Sequence, residues 1–186
     1  LLKKHVLENS PPKNHDKLKS YHAIKSIPGA TEYLQSLPKI LVFEELSAVL
    51  VHAGVDPLKP ITAQNSMCCY VSMVNPQSPG SSRWCGVDRR GNPESVNREK
   101  GWRRWDELYD FPYHVYHGHL GVNDPRVEYF SRRPSYKRVM LDTGAWYTGM
   151  LSAAIIKDNT GPEKFVSTTR IRYGKHGEGY EDQIMA

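Results

Sequence analysis

Ala48-Val49-Leu50-Val51-His52-Ala53-Gly54 passes from a compact apolar run straight into a histidine and a glycine. A short apolar run bounded in this way reads as a buried strand, and the residues after it as its exit. A second run, Ile40 to Phe43, precedes it across Glu44-Glu45, so two strands joined by a tight, charged turn are expected. Upstream, Thr31 to Pro38 follows Pro28-Gly29, opens on a capping residue, sets Tyr33, Leu34 and Leu37 on one face and stops at a proline, which predicts a short helix. Downstream, His114 to Tyr116, Arg138 to Leu141, Met150 to Ile156 and Phe165 to Tyr173 are further strand candidates. Gly101 to Tyr109 carries Trp102, Trp105 and Leu108 at helical spacing. Asp142 to Gly149, with its Asp, Thr and glycines, suits a turn where backbone passes close to something.

The chain of 186 residues is 39% hydrophobic and 24% charged, enough to bury one core of ordinary size. No apolar run approaches the roughly 18 to 20 residues a membrane helix needs, and Leu1 to Ser10 lacks the order of a secretory signal. No membrane insertion is expected, and the location expected is intracellular, cytoplasmic or mitochondrial, rather than secreted. Cys68, Cys69 and Cys85 make neither a disulfide framework nor a usual zinc spacing, which fits a reducing compartment. A net charge of +5 and a pI near 9.1 favour anionic partners without singling out nucleic acid. Residues 1–18 read as a leader or linker, 19–173 as the domain, with a Pro-, Gly-, Ser- and Arg-rich insertion at about 76–98, and 174–186 as a tail.

Two histidines stand where apolar strands end. His52 follows Val49-Leu50-Val51, and His119 follows Val115-Tyr116 across His117-Gly118. Strand ends are where α/β proteins present catalytic and metal-binding groups, and neutral imidazole is a common nitrogen ligand for zinc, manganese or iron. Each histidine has a glycine close by, which lets backbone approach an ion or phosphate. A structural role for either ring stays open on these residues alone.

Three motifs occur in order: a Leu-Pro followed by a strand and Val51-His52-Ala53-Gly54-Val55-Asp56-Pro57; Gly101-Trp102 and then Val115-Tyr116-His117-Gly118-His119; and Leu141-Asp142-Thr143-Gly144-Ala145-Trp146-Tyr147-Thr148-Gly149-Met150-Leu151-Ser152-Ala153. Together they resemble the C-terminal half of the calcineurin-like metallophosphoesterases, above all the branch of the diadenosine tetraphosphatases and their relatives, the ApaH-like phosphatases. The resemblance runs over about 19–156, apart from the insertion. It implies an α/β fold, a metallophosphoesterase-type β-sandwich flanked by helices, incomplete at its N-terminal half. It also implies that His52 and His119 both ligate the second metal of a two-metal site, with a divalent Mn, Zn, Fe or Mg as cofactor if the site functions and none otherwise. Rings that share one ion lie within about 6 Å of each other. Asn14 and His15, in Lys13-Asn14-His15-Asp16, match all but the glycine of a G-N-H-D/E motif, which implies Asn14 as a further metal ligand and His15 as the catalytic acid. The Asp142-Thr143-Gly144 turn has no ligand role by this resemblance and packs beside the site. Val74 stands where relatives often place an Arg for substrate phosphate; Arg83, Arg89, Arg90, Arg103 and Arg104 are substitutes for that role or simply a solvated basic loop.

The chain lacks the family's D-x-H and G-D-x-x-D motifs, the second of which supplies the carboxylate bridging two ions. At most one ion is therefore expected on this chain, which alone is expected to be inactive. Two readings follow. If the site is completed elsewhere, the activity is metal-dependent hydrolysis of phosphoester or dinucleoside polyphosphate bonds, on a phosphorylated small molecule or RNA. Alternatively, the chain is a degenerate relative, a structural subunit of a larger, organellar assembly. Either way, a protein partner that covers the incomplete sheet is expected. The Trp102, Trp105 and Tyr109 face offers contacts for a partner, or is core. A nucleic-acid-binding module has the charge and the aromatics but no recognised arrangement of either.

Overall fold

The computed structural model describes residues 15–64, 73–77, 84–85 and 101–168. The chain divides into two compact units, Leu1–Pro38 and Lys39–Ala186. In the first unit, α1 spans His15–Lys25 and α2 spans Ala30–Ser36. Helix α2 is where the capping and proline signals put it. Its entry uses Gly29 in the left-handed region (φ 75°), and it exits through an extended Leu37, the conformation a residue before proline prefers. Helix α1 takes in the end of the stretch expected to be leader. That stretch lacks an apolar stripe, but from His15 to Lys25 it also lacks Pro and Gly and holds Lys, Leu and Ala, so propensity rather than amphipathic period carries the helix.

The second unit is a mixed α/β fold with several sheets and few helices. Its main sheet is built from β1 (Ile40–Phe43), β2 (Ala48–Val51), β6 (His114–His117), β7 (Arg126–Tyr129) and β8 (Lys137–Met140). The order is β1-β2-β6-β8-β7: β2, β6 and β8 run parallel at the centre, while β1 and β7 close the two edges antiparallel. Parallel strands are covered on both faces, which is why the β2 run is apolar throughout rather than alternating. A three-residue 3₁₀ turn, Glu44–Leu46, makes the charged connection between β1 and β2. Strand β7 escaped the sequence reading because Arg126 and Glu128 alternate with Val127 and Tyr129, a charged pattern suited to an edge.

Alternation along the strands divides the core in two. Val49, Val51 and Val115 face one way, onto Val55, Ile61, Val74, Trp105, Tyr109 and Phe130. Ala48, Tyr116 and Val139 face the other way, onto Ala154, Ile156 and Phe165 of an antiparallel hairpin, β9 (Ser152–Ile156) and β10 (Pro162–Ser167). Strand β10 is shorter than the Phe165–Tyr173 expectation within the described residues; the expected tail, 174–186, lies outside them.

A small sheet of two-residue strands, β3 (Met73–Val74), β4 (Trp84–Cys85) and β5 (Arg103–Arg104), has the order β4-β3-β5. Strand β4 falls inside the expected insertion, whose other residues beyond Gln77 lie outside the description. The helix expected over Gly101–Tyr109 is reduced to α3, Trp105–Leu108, because Arg103 and Arg104 pair with Val74 and Met73 instead. Trp105 and Tyr109 are 2% and 0% exposed, with Tyr109 stacked on Phe130 at 4.0 Å. These two rings are core, not a contact surface. Val74, at the position considered for a phosphate-binding Arg, is fully buried in the same core. No helix among the described residues is long and apolar enough to cross a membrane.

His114 ties the hairpin to the main sheet. Its Nε2–H donates to the Asn159 carbonyl at 2.8 Å, and its Nδ1 accepts from the Lys137 backbone N–H at 3.0 Å. This arrangement requires a neutral ring. Burial pushes the His114 pKa down, against the Asn159 carbonyl, and the Lys137 ammonium lowers it further. Burial likewise pushes His117 down to about 4, with Arg138 adding to the effect. Both rings bind protons more readily in the unfolded chain, so their contribution is complete above the unfolded value near 6.5. It is lost as pH falls toward the folded values, for His117 by about 3 kcal/mol between pH 6.5 and 4. Urea unfolding at pH 7.5 and 5.0 is expected to show a clear fall in midpoint at the lower pH, and His114→Gln is expected to reduce that dependence.

Candidate functional site

The carboxyl ends of β2, β6 and β8 open on one side of the sheet, which is where open α/β sheets bind ligands. Strand β2 delivers His52 onto a rigid support. Ala53 to Pro57 are buried, the Asp56 carboxylate Oδ1 accepts the Leu58 N–H at 2.9 Å, and the Gln64 amide bonds both the Asp56 backbone and the Lys59 carbonyl. An Asx turn at Asp56 follows, and the His52 side chain itself stays exposed.

Strand β6 delivers His119. The Gly118 N–H donates to the His52 carbonyl at 2.9 Å and so ties the two strand ends together. His119 then turns into the left-handed region (φ 72°), a costly conformation for a residue with a side chain. The outcome is that the His52 and His119 rings meet edge to face with centroids 5.3 Å apart. The separation is within the reach of one shared ion. Partial burial lowers the His119 pKa, the neighbouring His52 lowers it further, and the Asp142 carboxylate works in the opposite direction.

Strand β8 delivers Asp142, which the sequence reading placed beside the site without a role in it. Its Oδ2 accepts the His119 backbone N–H at 3.0 Å and its Oδ1 accepts the Gly144 N–H at 2.9 Å. Its carbonyl accepts the Val122 N–H at 2.8 Å. Gly118 permits this approach: a Cβ there would lie 3.2 Å from the Asp142 Cβ. The turn expected over 142–149 holds a short helix, α4 (Ala145–Thr148), between Gly144 and Gly149, both left-handed. Thr143 anchors it from below, donating to the Met150 carbonyl at 2.6 Å and contacting the Ser152 hydroxyl. A strand-terminal Asp followed by Thr-Gly was the only local signal of this arrangement, and its meaning depends on a loop 23 residues away in sequence.

Beside His52 and Gly118, between the main sheet and the hairpin, lies a cavity of about 320 Å³ walled by Leu50, Tyr116, Leu141, Ala154 and Ile156. On the other face, next to His117, Arg138 is buried against Asp106 at 2.9 Å and against Glu128. Arg104 also pairs with Asp106, so of the basic residues considered for phosphate this one is already engaged. Arg103 is exposed, and Arg83, Arg89 and Arg90 lie outside the described residues.

Of the residues assigned to the site from the sequence, His52 and His119 are brought together. His15 is the first residue of α1, in the N-terminal unit, and Asn14 lies outside the described residues. No group of three or more His, Cys, Asp or Glu side chains able to hold a metal ion occurs among the described residues. Two imidazoles with centroids 5.3 Å apart could supply two donors to one divalent ion, short of the four a zinc site ordinarily has.

The chain is similar to a solved crystal structure described as "a putative diadenosine tetraphosphatase", with a TM-score of 0.51 and 22% identity. The likeness is one of fold. The match covers 82% of this chain and 58% of the neighbour, so the chain spans little more than half of that protein's length. No family model and no curated protein matches the chain. The likeness gives no support to the alternative of a structural subunit.

Proposed function

We propose that this chain carries one part of a metal-dependent phosphoesterase centre, in which His52 and His119 together hold a divalent cation, Mn, Zn, Fe or Mg. The observation that carries the reading is the meeting of the two rings at 5.3 Å, at the ends of parallel strands, in a phosphoesterase-like fold. His52 and His119 would hold the cation, and the chemistry it would supply when bound is charge for phosphoryl oxygens and a more acidic water. The chain's own part is to hold the two nitrogens side by side, with the loop after Gly118 fixed. The cavity beside His52 gives an apolar wall for the organic part of an ester, which favours a nucleotide-bearing substrate such as a dinucleoside polyphosphate or an RNA end over a small polar phosphate.

In this reading the fold is one half of a flanked β-sandwich, with the β9–β10 hairpin in its second layer, and the further ligands come from polypeptide other than the five strands of the main sheet. Strand β1 is where such polypeptide would attach. It lies at the sheet edge, with no described strand on its outer side, and its Ile-Leu-Val-Phe run has none of the charges or prolines that protect an edge.

The test is hydrolysis of 4-nitrophenyl phosphate and of a dinucleoside tetraphosphate with Mn²⁺ or Zn²⁺, by the chain alone and with its natural partners. Metal-dependent turnover that rises on adding partner and disappears with chelator is expected. Absence of both turnover and metal binding in the completed assembly would sink the reading.

A further inference from the structure

We infer that Asp142 is the positioning residue of this site, holding His119 in its strained conformation so that its ring meets His52. The inference rests on the two-imidazole reading above and concerns a residue to which that reading gives no part. A left-handed histidine is held only where its surroundings over-determine it. Three bonds do so here. The Asp142 Oδ2 accepts the His119 N–H at 3.0 Å, the Oδ1 accepts the Gly144 N–H at 2.9 Å, and the backbone carbonyl accepts the Val122 N–H at 2.8 Å. The same residue thus pins the His119 loop at both ends and is itself braced by the Gly144 turn. The side-chain bonds need two oxygen acceptors on one short arm, which only aspartate supplies: asparagine offers one oxygen and one donor, and glutamate is longer by a methylene in a space where even a Cβ on Gly118 would sit 3.2 Å from the Asp142 Cβ. The Asp142 hydrogen bond is to the His119 backbone N–H and not to its ring, so its hold on the ring's position runs through the backbone.

The experiment compares the full chain with its Asp142→Asn, Asp142→Ala, Gly118→Ala and His119→Ala variants. Two readouts are taken: Zn²⁺ affinity by calorimetry, and exchange of the His119 amide hydrogen by NMR in the absence of metal. Wild type is expected to bind Zn²⁺ and to protect the His119 amide. Asp142→Ala is expected to bind roughly tenfold or more weakly, the effect typical of losing a group that orients a metal ligand, and to lose the protection. Asp142→Asn should keep part of both, and Gly118→Ala should weaken both while the aspartate remains. Partial rescue by asparagine at an unchanged melting temperature separates positioning from general destabilisation. Wild-type affinity and protection retained in Asp142→Ala would overturn the inference. If wild type binds no Zn²⁺, the two-imidazole reading fails, and the His119 amide decides on Asp142 alone: fast exchange in wild type overturns it.

Discussion

Replacing His119 with glycine leaves the chain folded and lowers its affinity for Zn²⁺ or Mn²⁺ by roughly 100-fold or more. The size follows from the ligand count. Loss of a group that merely orients a ligand costs about 10- to 100-fold, and here one of only two described nitrogen donors goes. Folding is spared because His119 is exposed and left-handed, a conformation that glycine adopts without the roughly 1 to 2 kcal/mol penalty of a side chain. His52→Ala, also at an exposed ring, is expected to lose the same affinity with a stability change of about 0.5 kcal/mol or less. Calorimetric metal titration beside urea unfolding checks both. Equal metal affinity in wild type and both variants would place any bound ion elsewhere.

Arg138→Ala is expected to have the largest effect on stability, about 3 kcal/mol, at the low end of the range for breaking a buried ion pair. The guanidinium is 4% exposed and lies between Asp106 and Glu128, which are themselves partly open to solvent, hence the low end. Burial lowers the Arg138 pKa, and the two carboxylates hold the cation in place against that. Removing the arginine takes away the buried cation between Asp106 and Glu128 and leaves a cavity, with Arg104 still on Asp106 and Arg126 still on Glu128 as the remaining counter-charges. Denaturant unfolding of Arg138→Ala and of Arg138→Met measures the loss. Because methionine refills the volume but not the charge, a loss that persists in Arg138→Met belongs to the missing buried cation between the two carboxylates, whereas full recovery would assign it to packing.

These two sites differ in how legible they were. His52 and His119 stood out because each follows an apolar run and sits near a glycine, and the strands β1, β2 and β6 could be read from those same runs. Arg138 could not be distinguished from a surface arginine. Its partners lie on α3 and β7, and β7 itself is a charged edge strand whose pattern resembles a loop. Trp105 and Tyr109 were ambiguous for a similar reason. An aromatic stripe is equally consistent with core and contact surface until its partner, here Phe130, is known. Helix α1 was missed because its residues favour a helix singly without forming a stripe.

Local features were legible in the residues alone. Apolar runs set the strands, glycine and proline set the helix ends and turns, and histidines at strand ends marked the candidate ligands, because each of these depends on neighbours a few positions away. That His52 and His119 meet, that Asp142 reaches across 23 residues to the His119 amide, and that Trp105 closes the core emerge from the folded chain alone. Those facts depend on the parallel placement of β2, β6 and β8, which brings their carboxyl ends to one side of the sheet. Such pairing between strands distant in sequence is selected by burial on both faces of the sheet, and no single segment carries that information.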